Sequence, residues 1–327
     1  EHRDRLLPAM PWRLARSWRA RQDHRTKPAR NCGATTSGTP QPAGDLQAFR
    51  SDYGYGGGHH GSRRGSHHGG FLKRLFDWSQ ACQAALEFMQ RHPVAATWGR
   101  SDLASSDMMS METTQRVWHA RQDPRRNTSS IGIYSHVRDR WGIFYAQPFV
   151  LNVRQAGVAI EGVVRQESIE TSQLAVDTHG YTDFAMALAR LLGFDLCPRL
   201  KELKQPHLYV PRGTVIPPEI VTVCEANVDT ALIEKHWDTL AHLTASVMSG
   251  NTSAVAALAR FGSTARGDPI YEAGVRWGRL LRTAFLADYF VKDAFRNELR
   301  RVLNRGEAVN ALKRVVSSKC KLIQCSD

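Results

Sequence analysis

The sequence predicts an α/β fold for the region that follows residue 70, and three patterns support this class. A β-hairpin pattern covers residues 129–152, and a strand–turn–helix–strand unit covers residues 174–200. A series of helical patterns follows residue 228. Strands that alternate with helices are typical of a sheet covered by helical layers. The length of 327 residues is sufficient to bury a substantial core.

The predicted strands fall into two groups along the chain. The hairpin has one strand over residues 131–137 and a return strand over residues 141–151. The segment 158–164 is rich in Val and Ile and predicts a third strand. Two short apolar strands, over residues 174–177 and 194–200, form the second group. Together these segments predict a sheet of at least five strands.

Helices are predicted before, between and after these strands. Apolar residues with helical spacing cover residues 75–89, and Pro93 ends that pattern. Thr182 can cap a helix over residues 183–192, and Gly193 can close it. Later helices are predicted over residues 229–246, 253–261, 270–289 and 293–303, followed by a last helix from about residue 305 toward residue 316.

Residues 1–70 differ in composition from the rest of the chain. Residues 53–70 consist almost entirely of Gly, His, Ser, Arg and Tyr, and such a segment is predicted to be disordered. The first residue is not Met, which suggests a fragment. Two alternatives are that the basic tract contacts nucleic acid, and that residues 1–70 derive from a shifted reading frame joined to a genuine one near Phe71.

Charge and composition exclude several classes of protein. The formal net charge of +13 favours a polyanionic partner, although the first 74 residues carry +9 of it. A plain basic nucleic-acid-binding domain is therefore less favoured, because the remaining residues carry only +4. No run of about 18 apolar residues predicts a membrane span. The six scattered cysteines indicate neither a disulfide framework nor a zinc site.

Three acidic residues are candidates for chemistry: Asp107, Asp177 and Glu307. Asp177 follows an apolar strand, and a carboxylate at the end of a strand is held on a rigid element. Two or three carboxylates can bind Mg²⁺, which prefers oxygen ligands and retains several waters. The alternative for each residue is an ordinary surface charge, a helix cap or a turn former, because the chain has 31 acidic residues.

Four separated motifs favour the catalytic interpretation of these acids. They are Ala104-Ser105-Ser106-Asp107, Val176-Asp177-Thr178-His179-Gly180-Tyr181-Thr182-Asp183, Leu192-Gly193-Phe194-Asp195-Leu196-Cys197-Pro198-Arg199 and Val302-Leu303-Asn304-Arg305-Gly306-Glu307-Ala308. In this order and spacing, they resemble the transposases of replicative, cointegrate-forming class II transposons, the family of the ampicillin-resistance transposon. The resemblance covers roughly residues 75–316.

The resemblance implies a ribonuclease-H-like mixed sheet of the DDE class, within a catalytic domain over residues 71–316. It also implies a helical insertion, about residues 228–303, before the last acidic residue. Asp107, Asp177 and Glu307 would be the catalytic residues and the ligands of two Mg²⁺ or Mn²⁺ ions. By this resemblance, water would cleave each transposon end, and the freed 3′-hydroxyl would attack target DNA without a covalent protein–DNA intermediate.

The same resemblance implies double-stranded DNA as the partner, both as transposon ends and as target. A homodimer on paired ends is expected, in the bacterial cytosol and associated with the nucleoid. Arg199, Lys201 and Arg305 are candidate phosphate contacts, although exposed cations of an ordinary surface would look the same.

Tryptophans offer a further expectation. Trp98, Trp118 and Trp141 are predicted to be core residues. The alternative is that an aromatic side chain near a scissile junction stacks on a flipped base.

The chain also departs from the family pattern. Family members are far longer and carry N-terminal regions that recognise inverted repeats, whereas residues 1–70 show no match. Residues 317–327 form a divergent tail. The alternative function is therefore an inactive, truncated remnant with at most non-specific DNA binding.

Overall fold

A computed structural model describes most of the chain after residue 82. The described residues are 83–100, 102–124, 126–151, 153–166, 171–199 and 208–324. The predicted disordered segment 1–70 and the predicted start of the first helix therefore lie outside the described residues. Residues 83–90 are helical (α1), and Pro93–Ala96 forms a short helix (α2).

The fold is centred on a six-stranded mixed sheet. Its strands are β1 (Leu103–Glu112), β2 (Arg121–Gln122), β3 (Ser129–Arg138), β4 (Ile143–Phe149), β5 (Gln173–Val176) and β6 (Asp195–Pro198). The order is β2-β3-β1-β5-β6, and β4 also pairs with β3. β3 is antiparallel to β1, β2 and β4, whereas β5 is parallel to β1 and β6 is parallel to β5. This architecture confirms the predicted α/β class and the predicted hairpin.

Within the described residues, seven further α-helices follow the hairpin. They are α3 (Gln155–Val164), α4 (Asp183–Leu191), α5 (Thr230–Lys235), α6 (Trp237–Met248), α7 (Ala254–Arg260), α8 (Pro269–Val291) and α9 (Asp293–Gln324). A separate pair of short parallel strands is formed by β7 (Leu208–Pro211) and β8 (Cys224–Val228). The predicted cap of α4 is confirmed, since the Thr182 hydroxyl accepts a hydrogen bond from the Ala185 amide. Among the described helices, none has both the length and the apolar character needed to cross a bilayer.

The predicted third strand over residues 158–164 is wrong, because these residues belong to helix α3. All residues from Ala156 to Val163 are buried, so the sequence shows no polar face from which a helical period could be read. Two glycines allow the close packing of this helix. A Cβ at Gly157 would lie 2.8 Å from the Val255 backbone, and one at Gly162 would lie 2.2 Å from the His136 ring.

The predicted separate helix beginning near residue 305 is also wrong. α9 runs without a break from Asp293 to Gln324, so Glu307 lies well inside a helix and not at its start. Gly306 has the weak helix propensity that suggested a boundary. Its role is close packing, because a Cβ at this position would lie 2.8 Å from the Ser105 hydroxyl oxygen.

The two faces of β1 contact different helices, because side chains of a strand alternate between faces. Ser105 and Asp107 contact α9, through Gly306 and Asn310 respectively. On the opposite face, His136 of the neighbouring strand β3 contacts α3 and bonds the Ala159 carbonyl. The predicted site therefore lies on the face covered by α9.

Helix α8 is connected to the start of α4 and to α9. Arg282 and Arg279 approach the Asp183 carboxylate at 3.0 and 3.6 Å, at the start of α4. Only Lys292 separates the end of α8 from the start of α9. At this junction the Lys292 amide donates to the Asp288 carbonyl at 2.9 Å, and the Arg296 amide donates to the Lys292 carbonyl at 3.1 Å.

The buried His136 predicts an acid-sensitive fold. Its Nε2 donates to the Ala159 carbonyl at 2.9 Å, and burial lowers its pKa to about 4. Because the unfolded His binds a proton near pH 6.5, this residue contributes stability above pH 6.5 that is lost as the pH falls toward 4. The contribution is about 3 kcal/mol. We expect His136→Phe to reduce the loss of stability between pH 6.5 and 4, measured by urea unfolding.

The control is His119→Phe, because His119 is half-buried in the connection between β1 and β3. This variant should lose stability between pH 6.5 and 4 as the wild type does. Parallel pH profiles for His136→Phe and the wild type would contradict the prediction.

Candidate active site

Asp107 and Asp177 are neighbours in the sheet. The register of the parallel strands β1 and β5 pairs Ser106 with Val176, and the two aspartates are the next residue on each strand. Adjacent strands lie about 4.8 Å apart, so Asp107 and Asp177 lie side by side directly after the last residue pair that joins β1 to β5. The structure therefore brings together two of the three predicted acids, which are 70 residues apart in sequence.

Hydrogen bonds fix the orientation of both carboxylates. Asp107 Oδ1 accepts from the Met108 amide at 2.7 Å, and its Oδ2 accepts from Asn310 Nδ2 at 2.9 Å. Asp177 Oδ1 accepts from the amides of His179 and Gly180 at 3.1 and 2.8 Å. These amide donors hold the Asp177 side chain at the point where the strand turns toward α4.

Helix α9 brings the third acid to this edge of the sheet. Gly306 packs on Ser105 and Asn310 bonds Asp107, so Glu307 lies between two contacts with β1. The Glu307 carboxylate itself is bonded elsewhere: its Oε1 accepts from Arg199 Nη1 at 2.8 Å. Arg199 directly follows β6, and both side chains of this ion pair are more than half exposed. Glu307 thus lies near Asp107 and Asp177, but its carboxylate is paired with the Arg199 guanidinium.

The three acids interact electrostatically. Burial raises the pKa of Asp107, and the negative charges of Asp177 and Glu307 raise it further, although bonds from Met108 and Asn310 oppose the rise. Burial and the charge of Asp177 also raise the pKa of Tyr134, which is fully buried. Like charges that are this close to one another favour a bound cation.

The donor set fits a hard divalent cation, since it consists of carboxylate oxygens. The Asn310 Oδ1 atom, beside this set, is buried and has no hydrogen-bond partner within the described residues. Within those residues, no three His, Cys, Asp or Glu side chains converge closely enough to hold a metal ion. The reason is visible for Glu307, whose carboxylate is bonded to Arg199. Asp107 and Asp177 therefore lie side by side, while the Glu307 carboxylate is paired with Arg199.

The predicted phosphate contacts have different surroundings. Arg199 bonds Glu307, as described above. Arg305 lies over the Trp141 ring at 5.6 Å, and burial lowers its pKa. Lys201 lies outside the described residues. Their contact with DNA stays a prediction.

Asn310 is a site residue that the sequence analysis missed. It follows Glu307 by three positions on α9, a spacing that puts two side chains on one face of a helix. It is buried, and its amide reaches Asp107 across 203 residues of sequence. The spacing was available as a signal, but an Asn three residues after a Glu is common in ordinary helices.

We expect Asn310→Ala to lower the free energy of unfolding by about 2 kcal/mol, because hydrogen bonds to charged groups contribute about 1.5–3 kcal/mol. The substitution removes the donor to Asp107 Oδ2 and leaves this partly buried carboxylate with one bond fewer. Urea denaturation followed by circular dichroism would measure the change. Asn304→Ala, at an exposed position of the same helix, is the matched control. Equal stability of the two variants would refute the expectation.

Comparisons with known proteins agree with the geometry. The profile of the family described as Tn3 transposase DDE domain matches residues 74–322. Over 238 residues the chain is 86% identical to the transposase for insertion sequence element IS1071 in transposon Tn5271 of Comamonas testosteroni, covering 73% of this chain and 24% of the relative. It is 28% identical to the transposase for transposon Tn21 of Escherichia coli and 29% identical to that for Tn501 of Pseudomonas aeruginosa, each with the same coverage.

The chain spans about a quarter of the length of these curated relatives. No solved structure matches it. The family profile nevertheless covers Asp107, Asp177 and Glu307 and most of the described fold. The chain belongs to the Tn3 transposase DDE domain family.

Proposed function

We propose that this chain is the catalytic domain of a transposase that cleaves DNA at transposon ends and transfers the 3′-hydroxyl ends to target DNA. The observation that carries the proposal is the placement of Asp107 beside Asp177, with Glu307 brought to the same edge by α9. The relatives named as transposases support the same reaction. A ribonuclease-H-like fold is supported by the mixed sheet, in which antiparallel β3 and β4 precede β5 and β6, which run parallel to β1.

Asp107, Asp177 and Glu307 would hold Mg²⁺ or Mn²⁺, and we propose two ions. When bound, such ions activate the attacking oxygen and stabilise the leaving oxygen of a phosphodiester. The chain's own contribution is positioning. The amides of His179 and Gly180 orient Asp177, while Met108 and Asn310 orient Asp107. No Ser or Tyr nucleophile is needed for this reaction.

Arg199 has two alternative partners in this proposal. In the structure it bonds Glu307, so Glu307 joins the aspartates only when this exposed ion pair opens. Exposed ion pairs contribute only about 0–1 kcal/mol, so opening costs little. A DNA phosphate would replace Glu307 as the partner of Arg199, while Lys201 and Arg305 would add further phosphate contacts.

Double-stranded DNA is the proposed partner, as transposon ends and as target, and a homodimer would pair the two ends. The bacterial cytosol, near the nucleoid, is the proposed location. The supporting observations are the family membership and the net charge of +13.

A strand-transfer assay tests the proposal. The chain would be incubated with pre-cleaved transposon-end oligonucleotides and supercoiled target DNA, in Mg²⁺, Mn²⁺ or EDTA. We expect joined product that depends on the metal. Product of equal yield in EDTA, or no product in either metal, would refute the catalytic function.

An inactive remnant is the second candidate function. The bond between Glu307 and Arg199 favours it, since it keeps the third acid away from the pair. A remnant would bind DNA without sequence preference and yield no joined product with any metal.

A further inference from the structure

The loop between β1 and β3, residues 113–128, carries an exposed tryptophan. Trp118 was predicted to be a core residue, but 80% of its surface is exposed. A large aromatic side chain contributes most to stability when it is buried. The fold gains little from Trp118 in this position, and the aromatic ring is accessible to a partner.

The loop holds Trp118 in a defined position. The Arg121 guanidinium donates to the carbonyls of Trp118 and Ala120 at 3.2 and 2.7 Å. The base of the loop is fixed as well, since the Asp123 carboxylate accepts from the Ser110 hydroxyl of β1 at 2.5 Å. The Thr113 amide donates to the Ser129 carbonyl at 2.9 Å. These bonds hold the main chain that carries Trp118, so little entropy is lost in ordering the loop on binding.

The surroundings of Trp118 favour nucleic acid as the partner. Residues 113–128 contain four arginines and one aspartate, a net charge of +3. These 16 residues thus carry a net charge of +3, compared with +4 for all of residues 75–327. A cavity of about 330 Å³ also opens in this loop, lined by Gln115, Ala120, Arg121, Gln122, Asn127 and Ser129. Amide and guanidinium groups are donors and acceptors that suit the edge of a base.

The loop follows the C-terminal end of β1, and Asp177 follows the C-terminal end of β5, which runs parallel to β1. β1 continues for five residues beyond Asp107 to Glu112, a distance of about 16 Å, before the loop begins. Successive nucleotides of one strand are about 3.4 Å apart, so the loop would meet DNA about five nucleotides from the reacting phosphate. Stacking on an exposed aromatic needs a base that is not paired.

We propose that the loop over residues 113–128 is a DNA-binding element in which Trp118 stacks on an unpaired base near the cleavage site. The inference rests on the proposed function for the identity of the polymer. It goes beyond that function by assigning a DNA contact to a loop that does not include the three acids.

Fluorescence anisotropy in EDTA tests the element without catalysis. The probes would be a labelled duplex and the same duplex with a short run of unpaired bases. We expect Trp118→Ala to weaken binding to the probe with unpaired bases about 5- to 100-fold, and to weaken binding to the paired duplex much less. Trp118→Phe should retain most of the affinity, and Val215→Ala, at another exposed apolar residue, should change neither probe.

Arg116→Ala separates charge from stacking, because an exposed cation acts on both probes alike. We expect it to weaken both equally and to reduce the slope of log affinity against log salt by about 1. Equal affinities of the wild type and Trp118→Ala for both probes would overturn the proposal. A wild type that binds neither probe, or a Trp118→Ala effect confined to self-association in sedimentation, would overturn it too. Loss of strand transfer with intact Trp118-dependent binding would instead refute only the catalytic function.

Discussion

Asp177→Asn is expected to reduce metal-dependent strand transfer by about 10³-fold or more, because it removes a proposed ligand of the metal ions, which supply several kcal/mol of transition-state stabilisation. The amide keeps the size of the side chain, and its Oδ1 can still accept the bonds from His179 and Gly180. The fold should therefore survive while the negative charge is lost. The measurement is the initial rate of joined product in Mn²⁺, at equal concentrations of folded protein.

Asp195→Asn is the matched control. Asp195 begins β6, the strand next to β5, at the strand end opposite to Asp177, and it pairs with Arg190 at 2.7 Å. Its replacement should leave the rate within a few-fold of the wild type. If Asp177→Asn and Asp195→Asn gave equal rates, Asp177 would have no part in the chemistry.

Gly278→Ala is expected to lower the free energy of unfolding by about 3 kcal/mol or more, because it forces α8 away from α4. A Cβ at residue 278 would lie 1.7 Å from the backbone oxygen of Asp183, and backbone atoms cannot rotate out of the way. A loss of this size corresponds to a decrease of about 6–12 °C in the melting temperature. Thermal unfolding followed by circular dichroism would measure it.

The control for this substitution is the reverse exchange at an exposed position of the same helix. Ala284→Gly should cost about 1 kcal/mol, the difference in helix propensity alone. Without the steric conflict, Gly278→Ala would raise the free energy of unfolding by a similar amount. An unchanged or increased melting temperature for Gly278→Ala would therefore show that the two helices do not meet as described.

Local signals in the sequence predicted much of the central fold. The hairpin has alternating apolar residues on both sides of a polar turn, and the unit from β5 to β6 has a capping Thr182 and a closing Gly193. The turn conformation of Gly193, with φ of 99°, is one that glycine adopts without strain. These features depend on residues that are close together in sequence, so they can be predicted from the amino-acid sequence alone.

Features that depend on tertiary packing were not predictable in the same way. Helix α3 is buried on all sides, so its Val and Ile content resembled that of a strand. Gly306 suggested a helix end, although it is required by the approach of α9 to Ser105. Trp118 resembled a core residue because composition carries no information about exposure. In each case the deciding neighbour is distant in sequence.

The candidate site shows the same division. The resemblance to a family predicted Asp107, Asp177 and Glu307 as a set, and the structure lays the aspartates side by side. Motifs did not reveal that Asn310 donates to Asp107 or that Arg199 binds Glu307. Side-chain partners of this kind follow from the packing of α9 on β1, β3 and β5, which spacing in the sequence does not specify.

The double attachment of α8 has a mechanical consequence for the acids. Through Arg282 and Asp183, this helix holds the start of α4, six residues after Asp177. Through Lys292 it continues into the helix that carries Glu307. Asp107, by contrast, belongs to a strand flanked on both sides by other strands. Helix α8 is therefore connected to the segments that carry Asp177 and Glu307, whereas Asp107 is held in the sheet by β1. A partner that displaced α8 would therefore move Asp177 and Glu307 relative to Asp107 without contacting any of the three.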